Sequence, residues 1–321
     1  MLKENVTAQD AREQYKDFKA NRPPLSSGEI LEFTGVSDYD VYNPTTPFLS
    51  GGKLVMACRV EKRDNEISRT MFFSENNGKW ALIPDAPVFD GLQDPCVAII
   101  DGEIVLGGVY VEWDWPKLVR YATYFYKGKT IYDLKFFAQG PEFMKDIRLV
   151  EFDGKIGIFS RPQGEAVTHL NCIAKIGFAS VASLSEITPE VIANARLIEG
   201  HFKNDEWGGS NQIFVLKNGL LGVIGHKSWG ETGSDGVFLI HYYPMAFAFD
   251  PKTFKMTDVK IIGSRNCFPK GPQKNTRTED VVFTSGIIRN NDGTAVLYGG
   301  LSDCQIGKTT IPDPFLEYEN L

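Results

Sequence analysis

Apolar positions along this chain come in short runs rich in Val, Ile and Phe, each cut off by Gly, Asn, Asp or Pro. Short runs with that punctuation predict β-strands joined by tight turns. Residues 91–111, GLQDPCVAIIDGEIVLGGVYV, are the clearest case, with two such runs meeting at Asp101-Gly102. A type I′ hairpin turn needs positive φ at both central positions, and Asp-Gly supplies it. Both runs are almost wholly apolar, so the hairpin is expected to be buried on two faces.

Four more hairpins of this kind follow the same plan. FLS runs through Gly51-Gly52 into KLVMACRV, and IRLVEF through Asp153-Gly154 into KIGIFSRP. QIFVL runs through Asn218-Gly219 into LLGVIGH, and VVFTSGIIRN through Asp292-Gly293 into TAVLYGG. The turns recur after about 50 to 75 residues, room for about four short strands each. Radial repetition of four-stranded sheets makes a propeller, so the expected fold is all-β, a five-bladed β-propeller with a short N-terminal helix. A pair of β-sandwiches gives no reason for one apolar hairpin to return five times. The helix is expected over 7–20, capped by Thr7 and stopped before Pro23-Pro24, with a turn or two more over 183–195, limited by Pro189. Residues 264–280 read as the longest irregular loop. The domain expectation is a lead-in over 1–30 and one propeller over 31–321.

Charge and composition narrow the partners. Thirty-four basic against 41 acidic side chains leave a net charge of −7, which excludes a nucleic-acid footprint or a basic membrane-binding face. No run of about 18 apolar residues is present for a membrane span, and the charged first residues lack the apolar core of a signal peptide. Five cysteines stand far apart with no CxxC pair, which argues against a zinc site or a disulfide framework and suits a reducing compartment. The expectation is a cytoplasmic protein without a metal. Nothing here fixes an oligomeric state.

In a propeller the chain enters the innermost strand of every blade from one common face, so the residues ahead of the five hairpins should converge. They are Asp38, Asp40 and Asn43-Pro44; Asp94-Pro95; Lys145-Asp146; Glu206-Trp207 with Ser210-Asn211; and Glu279-Asp280. The returning strands bring Arg59, then Tyr110 with Glu112, then Arg161, His226 and Asp303 to the same face. Carboxylates, bases and amides around one pit suit a polar, charge-bearing substrate. Taken singly each has a structural reading: Asp-Pro initiates turns, Lys145-Asp146 can be a solvated pair, and Arg59 and Arg161 can staple neighbouring blades.

In order and spacing these residues resemble glycoside hydrolase family 130, the mannoside phosphorylases and mannosidases, a five-bladed propeller like the family 43 and 32 glycosidases. Asn43-Pro44 and Arg59 are similar to the family's first-blade Asn-Pro and following Arg. Its second-blade Glu-Asp-Pro-Arg is matched by Gln93-Asp94-Pro95-Cys96, which keeps the acid and loses both flanking charges. Lys145-Asp146 with Arg161-Pro162 resemble the third blade, Gly208-Gly209 with His226 the fourth, and Val281-Val282-Phe283 with Tyr298-Gly299 and Asp303 the fifth. The resemblance runs over about residues 36–310.

It implies an inverting glycoside phosphorylase or hydrolase acting on β-mannoside-like oligosaccharides, with Asp94 as general acid. Lys145, Arg161 and His226 would hold phosphate, with Arg120 the nearest candidate for a second-blade arginine. Asp40, Asn43, Arg59, Asp146, Asn211, Asp280 and Asp303 would bind substrate. A hydrolase would need a base, for which Glu206 and Glu279 are the surviving acids. No cofactor is expected; inorganic phosphate is a candidate co-substrate, and the partner is an oligosaccharide or glycoside. Trp113, Trp115, Trp207 and Trp229 could stack on sugar rings or simply pack blades. The alternative from another class is a non-catalytic carbohydrate-binding propeller that kept the pit and lost turnover.

Overall fold

A computed structural model of the chain describes residues 1–4, 6–21 and 28–321. Each of the five turns joins two antiparallel strands. Phe48–Ser50 pairs with Lys53–Glu61, Leu92–Ile100 with Glu103–Asp114, and Arg148–Phe152 with Lys155–Ser160. Trp207–Val215 pairs with Leu221–Thr232, and Asp280–Arg289 with Thr294–Leu301. In the first three turns both central residues have positive φ, for example 52° at Asp101 and 72° at Gly102, as a type I′ turn demands.

Further strands widen each hairpin into a group. Ser68–Asn76 and Lys79–Leu82 extend the first, Lys117–Gly128 and Lys135–Gln139 the second, Ile176–Val181 and Arg196–Ile198 the third. Phe238–Asp250 extends the fourth. The fifth gains Gln305–Pro312 and then Glu29–Ile30, a strand from the start of the chain that falls inside the expected lead-in. The fourth and fifth groups share one nine-stranded sheet, through a short parallel pairing of His241 with Asp280 and Tyr242 with Val281. Two of the five hairpins therefore lie in one hydrogen-bonded sheet, joined only at that pairing.

The core explains the apolar runs. Val55 and Phe72 of the first group pack with Leu92 and Leu106 of the second, and Ile100 and Val105 pack with Leu149 and Ile156 of the third. Phe159 and Phe178 pack with Val223 and Phe247 of the fourth, whose Ile224 and Ala246 pack with Val282 and Leu297 of the fifth. Tyr298 and Ile306 of the fifth then meet Met56, Cys58 and Phe73 of the first. Every group is covered on both faces by its neighbours, so its strands lose the alternation of a half-exposed sheet.

The helix spans Ala11–Ala20, and its cap is Asp10 rather than Thr7: the Asp10 carboxylate accepts from the Arg12 N–H. The expected stop at Pro23-Pro24 lies outside the described residues. Pro189 opens the short helix Pro189–Ala193 at its first position behind the Thr188 cap, where a missing N–H costs nothing. Within 264–280 there are two single turns of 3₁₀ helix, Arg265–Cys267 and Thr276–Thr278. Among the described residues no helix is long and apolar enough to cross a membrane.

Candidate active site

Each innermost strand is irregular at the same level. Asn43, Asp94 and Asp146 have φ of 43°, 48° and 58°, in the left-handed region where Asn and Asp are the non-glycine residues best tolerated. In the fourth and fifth groups the ladder slips by one residue at Asn211 and at Ser285, each an extra residue in a β-bulge. Bulges re-aim side chains, and the one in the fourth group brings Asn211 Oδ1 to 2.7 Å from His226 Nδ1. The backbone and the chemistry therefore ask for the same residue types.

The first two groups build an acidic half. Asp94 is buried, and its Oδ1 accepts from Asn43 Nδ2 at 2.8 Å and Arg59 Nη1 at 3.2 Å. Among the described residues no donor reaches Asp94 Oδ2. Arg59, also buried, is gripped by Glu61 at 2.8 Å and Glu66 at 2.7 Å. Lys274 bridges the same two acids, and Tyr42 donates to Glu61. Asp303 faces this cluster; burial, reinforced by Asp94 and Glu66 and opposed by Arg59 and Lys274, pushes its carboxyl up to about 6.

The third and fourth groups build a basic half. Asp146 is buried with Arg161 Nη1 at 3.2 Å, Arg148 Nη2 at 3.8 Å and His226 Nε2 at 3.9 Å. Burial works to raise its carboxyl, but Arg161, His226, Arg148 and Lys145 prevail and hold it at about 2. Burial drives His226 down to about 3, so its ring is neutral. Its Nδ1 lies 2.7 Å from Asn211 Oδ1, and the ring stacks on Tyr242 with centroids 5.4 Å apart. A neutral imidazole can still donate a hydrogen bond to a hydroxyl or a phosphate oxygen, but it brings no positive charge to the site. Arg161 donates through Nε to the Gly208 carbonyl at 2.7 Å, and Lys145 has no ion pair among the described residues. Three cations against one carboxylate leave this half positive.

A cleft of about 510 Å³ opens beside the basic half, lined by Lys145, Arg161, Trp207, Tyr242 and Trp113, and reaches Gln93, the residue before Asp94. Buried polar atoms without a hydrogen-bond partner among the described residues include Asn211 Nδ2, Ser210 Oγ, Thr284 Oγ1 and Asn43 Oδ1. Such orphans are rare in folded proteins, and a cluster of them calls for water or a ligand.

Other expected residues stand elsewhere. Glu206 is fully buried away from the mouth, 3.1 Å from Lys227 Nζ, and accepts from the backbone N–H groups of Ala11 and Lys203. It fastens the N-terminal helix and is unavailable as a base, because Lys227 points to the opposite sheet face from its neighbour His226. Glu279 is exposed and lines a different cleft with Asp280, which is held by His241 Nδ1 at 2.8 Å and the Tyr243 hydroxyl at 3.0 Å. Arg120 is exposed and paired with Glu112 and Glu142, and Asp40 is held by Arg63. Trp229 is buried against His241, which leaves no face for a sugar, whereas Trp207 and Trp113 reach the cleft. The sequence reading missed Glu61, Glu66, Lys274 and Arg148. Glu61 was visible two residues beyond Arg59 on the same strand face; Lys274 sits in an irregular loop with no pattern to mark it.

Fold and mouth together define a class, the all-β carbohydrate-active proteins. The β-1,2-mannobiose phosphorylase of Listeria innocua shares the fold, with a TM-score of 0.61 over 88% of this chain and 93% of that one at 13% identity. Residues 16–317 match the family described as "Protein of unknown function (DUF1861)", and the chain belongs to it. Two structures from Leishmania mexicana are much more similar. The mannose phosphorylase MPT-4, in complex with a phosphate ion, has 37% identity and a TM-score of 0.88 over 96% of this chain and 94% of that one. The GDP-Man-dependent mannosyltransferase MPT-1 has 35% identity and a TM-score of 0.87 over 96% and 95%. A comparison with curated protein sequences gave no match.

Proposed function

We propose that the five strand groups are the blades of a closed five-bladed β-propeller, and that its mouth moves a mannosyl unit between a glycoside and phosphate. The five apolar layers, the last of them between the fifth group and the first, support the closure. The similarity to a mannose phosphorylase and a mannosyltransferase supports mannose as the sugar. The compartment proposed is the cytoplasm.

One observation carries the mechanism: a carboxylate gripped on one oxygen and open on the other, beside a cleft that holds Lys145, which has no ion pair among the described residues, and Arg161, which shares the single carboxylate of Asp146. Asp94 Oδ1 is fixed by Asn43 and Arg59, so Oδ2 is positioned to give its proton to the leaving glycosidic oxygen. Phosphate, held by Lys145, Arg161 and Arg148, attacks the anomeric carbon from the other face; the glycosidic C–O bond breaks as the new C–O bond to phosphate forms. Asp303, coupled to Asp94 and titrating near 6, keeps a second exchangeable proton close by. A nucleotide-linked mannose as donor is the second reading, supported by the likeness to the GDP-Man-dependent relative.

The test incubates the protein with β-linked mannobioses with and without phosphate, with mannose 1-phosphate plus mannose, and with GDP-mannose plus mannose. Phosphate-dependent cleavage selects the first reading and transfer from GDP-mannose the second; sugar binding without turnover selects the non-catalytic alternative. Asp94→Asn should lower turnover ~10²–10⁴-fold while fold and sugar binding persist, because Asn keeps the shape and cannot donate that proton. Retained activity with a lowered melting temperature would make Asp94 structural.

A further inference from the structure

A second cleft of about 400 Å³ lies outside the mouth, between the N-terminal helix, the strand Phe238–Asp250 and the loop over 264–280. Its walls carry Arg265, Lys270, Arg277, Glu279, Asp280 and Tyr15. Among the described arginines that are not exposed, Arg265 alone has no carboxylate within 4 Å, whereas Arg12, Arg59, Arg69, Arg148, Arg161 and Arg289 each have one. Its own contacts are neutral: Nε donates to Ser302 Oγ at 3.1 Å and Nη1 to the Pro269 carbonyl at 2.7 Å. A half-buried guanidinium with no carboxylate in contact is costly, and burial lowers its proton affinity although Asp280 and Glu279 oppose the change from a distance.

The rest of the cleft adds to the imbalance. Lys270 and Arg277 are exposed and have no ion pair among the described residues. Asp280 is hydrogen-bonded by His241 and Tyr243 and keeps its charge, so Glu279 and Asp280 set two carboxylates against three cations and leave the cleft positive. His241 adds a ring whose Nε2 is buried without a hydrogen-bond partner, 3.5 Å from Glu231. The same loop sends Lys274 into the acidic half of the mouth, and Ser302 in the cleft adjoins Asp303 at the mouth.

We propose that this cleft binds a diphosphate group, either free or carried by a nucleotide. A diphosphate supplies the negative charge that Glu279 and Asp280 leave short of the three cations, and the guanidinium fork of Arg265 suits bidentate contact with phosphate oxygens. The site stands on its own geometry, independently of which mannosyl reaction the mouth performs.

The test is isothermal titration of the full chain with inorganic pyrophosphate, ADP, UDP and GDP, and with guanosine as the uncharged control. Pyrophosphate or a nucleoside diphosphate should bind, guanosine should not, and affinity should fall as salt rises. Lys270→Ala with Arg277→Ala, both on exposed side chains, should weaken binding at least tenfold without a change in melting temperature. Arg265→Met should weaken it further; if that variant does not fold, the double variant still decides. Lys145→Ala should leave the affinity unchanged. Tighter binding of one nucleotide than of pyrophosphate identifies a nucleotide ligand, and the reverse a free diphosphate. No binding at millimolar concentration, or binding that survives the double variant and is lost in Lys145→Ala, overturns the proposal. Because turnover of mannobiose with phosphate is measured separately, failure here leaves the reading of the mouth intact.

Discussion

Asp303→Asn should make the protein more stable at neutral pH and no more stable in acid. Asp303 is partly buried among Asp94 and Glu66, and burial with those charges raises its carboxyl from 3.8 to about 6. A shift of roughly two units is worth about 3 kcal/mol at 1.36 kcal/mol per unit, an upper bound for a group with some access to solvent. The sign follows from linkage: the folded state holds this proton more tightly than the unfolded one. That contribution is fully present below about 3.8 and is lost as pH rises through about 6. Above pH 7 the ionised carboxylate therefore works against folding, and Asn relieves it; Asn also tolerates the φ of 54° at this position. For a chain of 321 residues, 3 kcal/mol corresponds to about 4 °C in melting temperature. Melting both proteins from pH 4 to 8 should show the curves together at the acid end and separating through pH 5 to 7. The turnover of the wild type should carry a pH limb near 6 that the variant lacks. Equal melting differences at pH 4.5 and pH 8, or a variant less stable at pH 8, would refute the placing of Asp303 in an acidic cluster.

Glu206→Gln leaves Lys227 buried without its counter-ion, and breaking such a pair costs roughly 3–5 kcal/mol; thermal melting should show the loss while activity per folded molecule persists, and an unchanged melting temperature with lost turnover would return Glu206 to the chemistry. Lys145→Ala should raise KM for phosphate about tenfold or more with KM for the glycoside nearly unchanged, measured by initial rates against each substrate; equal effects on both would make Lys145 a sugar ligand.

The five hairpins were legible because each combines two apolar runs with a turn dipeptide whose backbone demand is specific. The helix cap lies three residues beyond the one expected, since Thr7 and Asp10 are both competent caps and only tertiary contact chooses between them. At the mouth, Asn43, Arg59, Asp94, Asp146, Arg161 and His226 could be placed because strand direction alone delivers them. Glu206 could not: it lies one residue before its strand, where the chain has not yet taken the alternation that fixes which way a side chain faces. The ion-pair partners were equally hidden, because Lys274 comes 213 residues after the Glu61 that it meets. Charge states were beyond the sequence for the same reason; a histidine at a strand end gives no sign that burial will keep it neutral.

Cys96 ties these strands of reasoning together. The glycoside hydrolase family 130 pattern that the sequence resembles carries an arginine after Asp-Pro, and its replacement by Cys96 in the second strand group would by itself remove a cation from the mouth. In this chain the Cys96 thiol lies within electrostatic reach of Arg148 and Asp146, with burial still raising its proton affinity. Arg148 comes from the innermost strand of the third group and is fastened by its Nε to the Asn211 carbonyl at 3.0 Å, beside the bulge that presents Asn211 to His226. A guanidinium therefore sits near the vacated position, delivered from the next strand along. The difference is that Arg148 shares Asp146 with Arg161, at 3.8 and 3.2 Å, so the three charges form one buried unit. In such a unit Asp146 offsets one of the two guanidinium charges, and its carboxyl, held at about 2, stays ionised so that this balance does not change across the physiological range. The basic half is thus set by the fold rather than by pH, while the acidic half, through Asp303, is the side that pH can change.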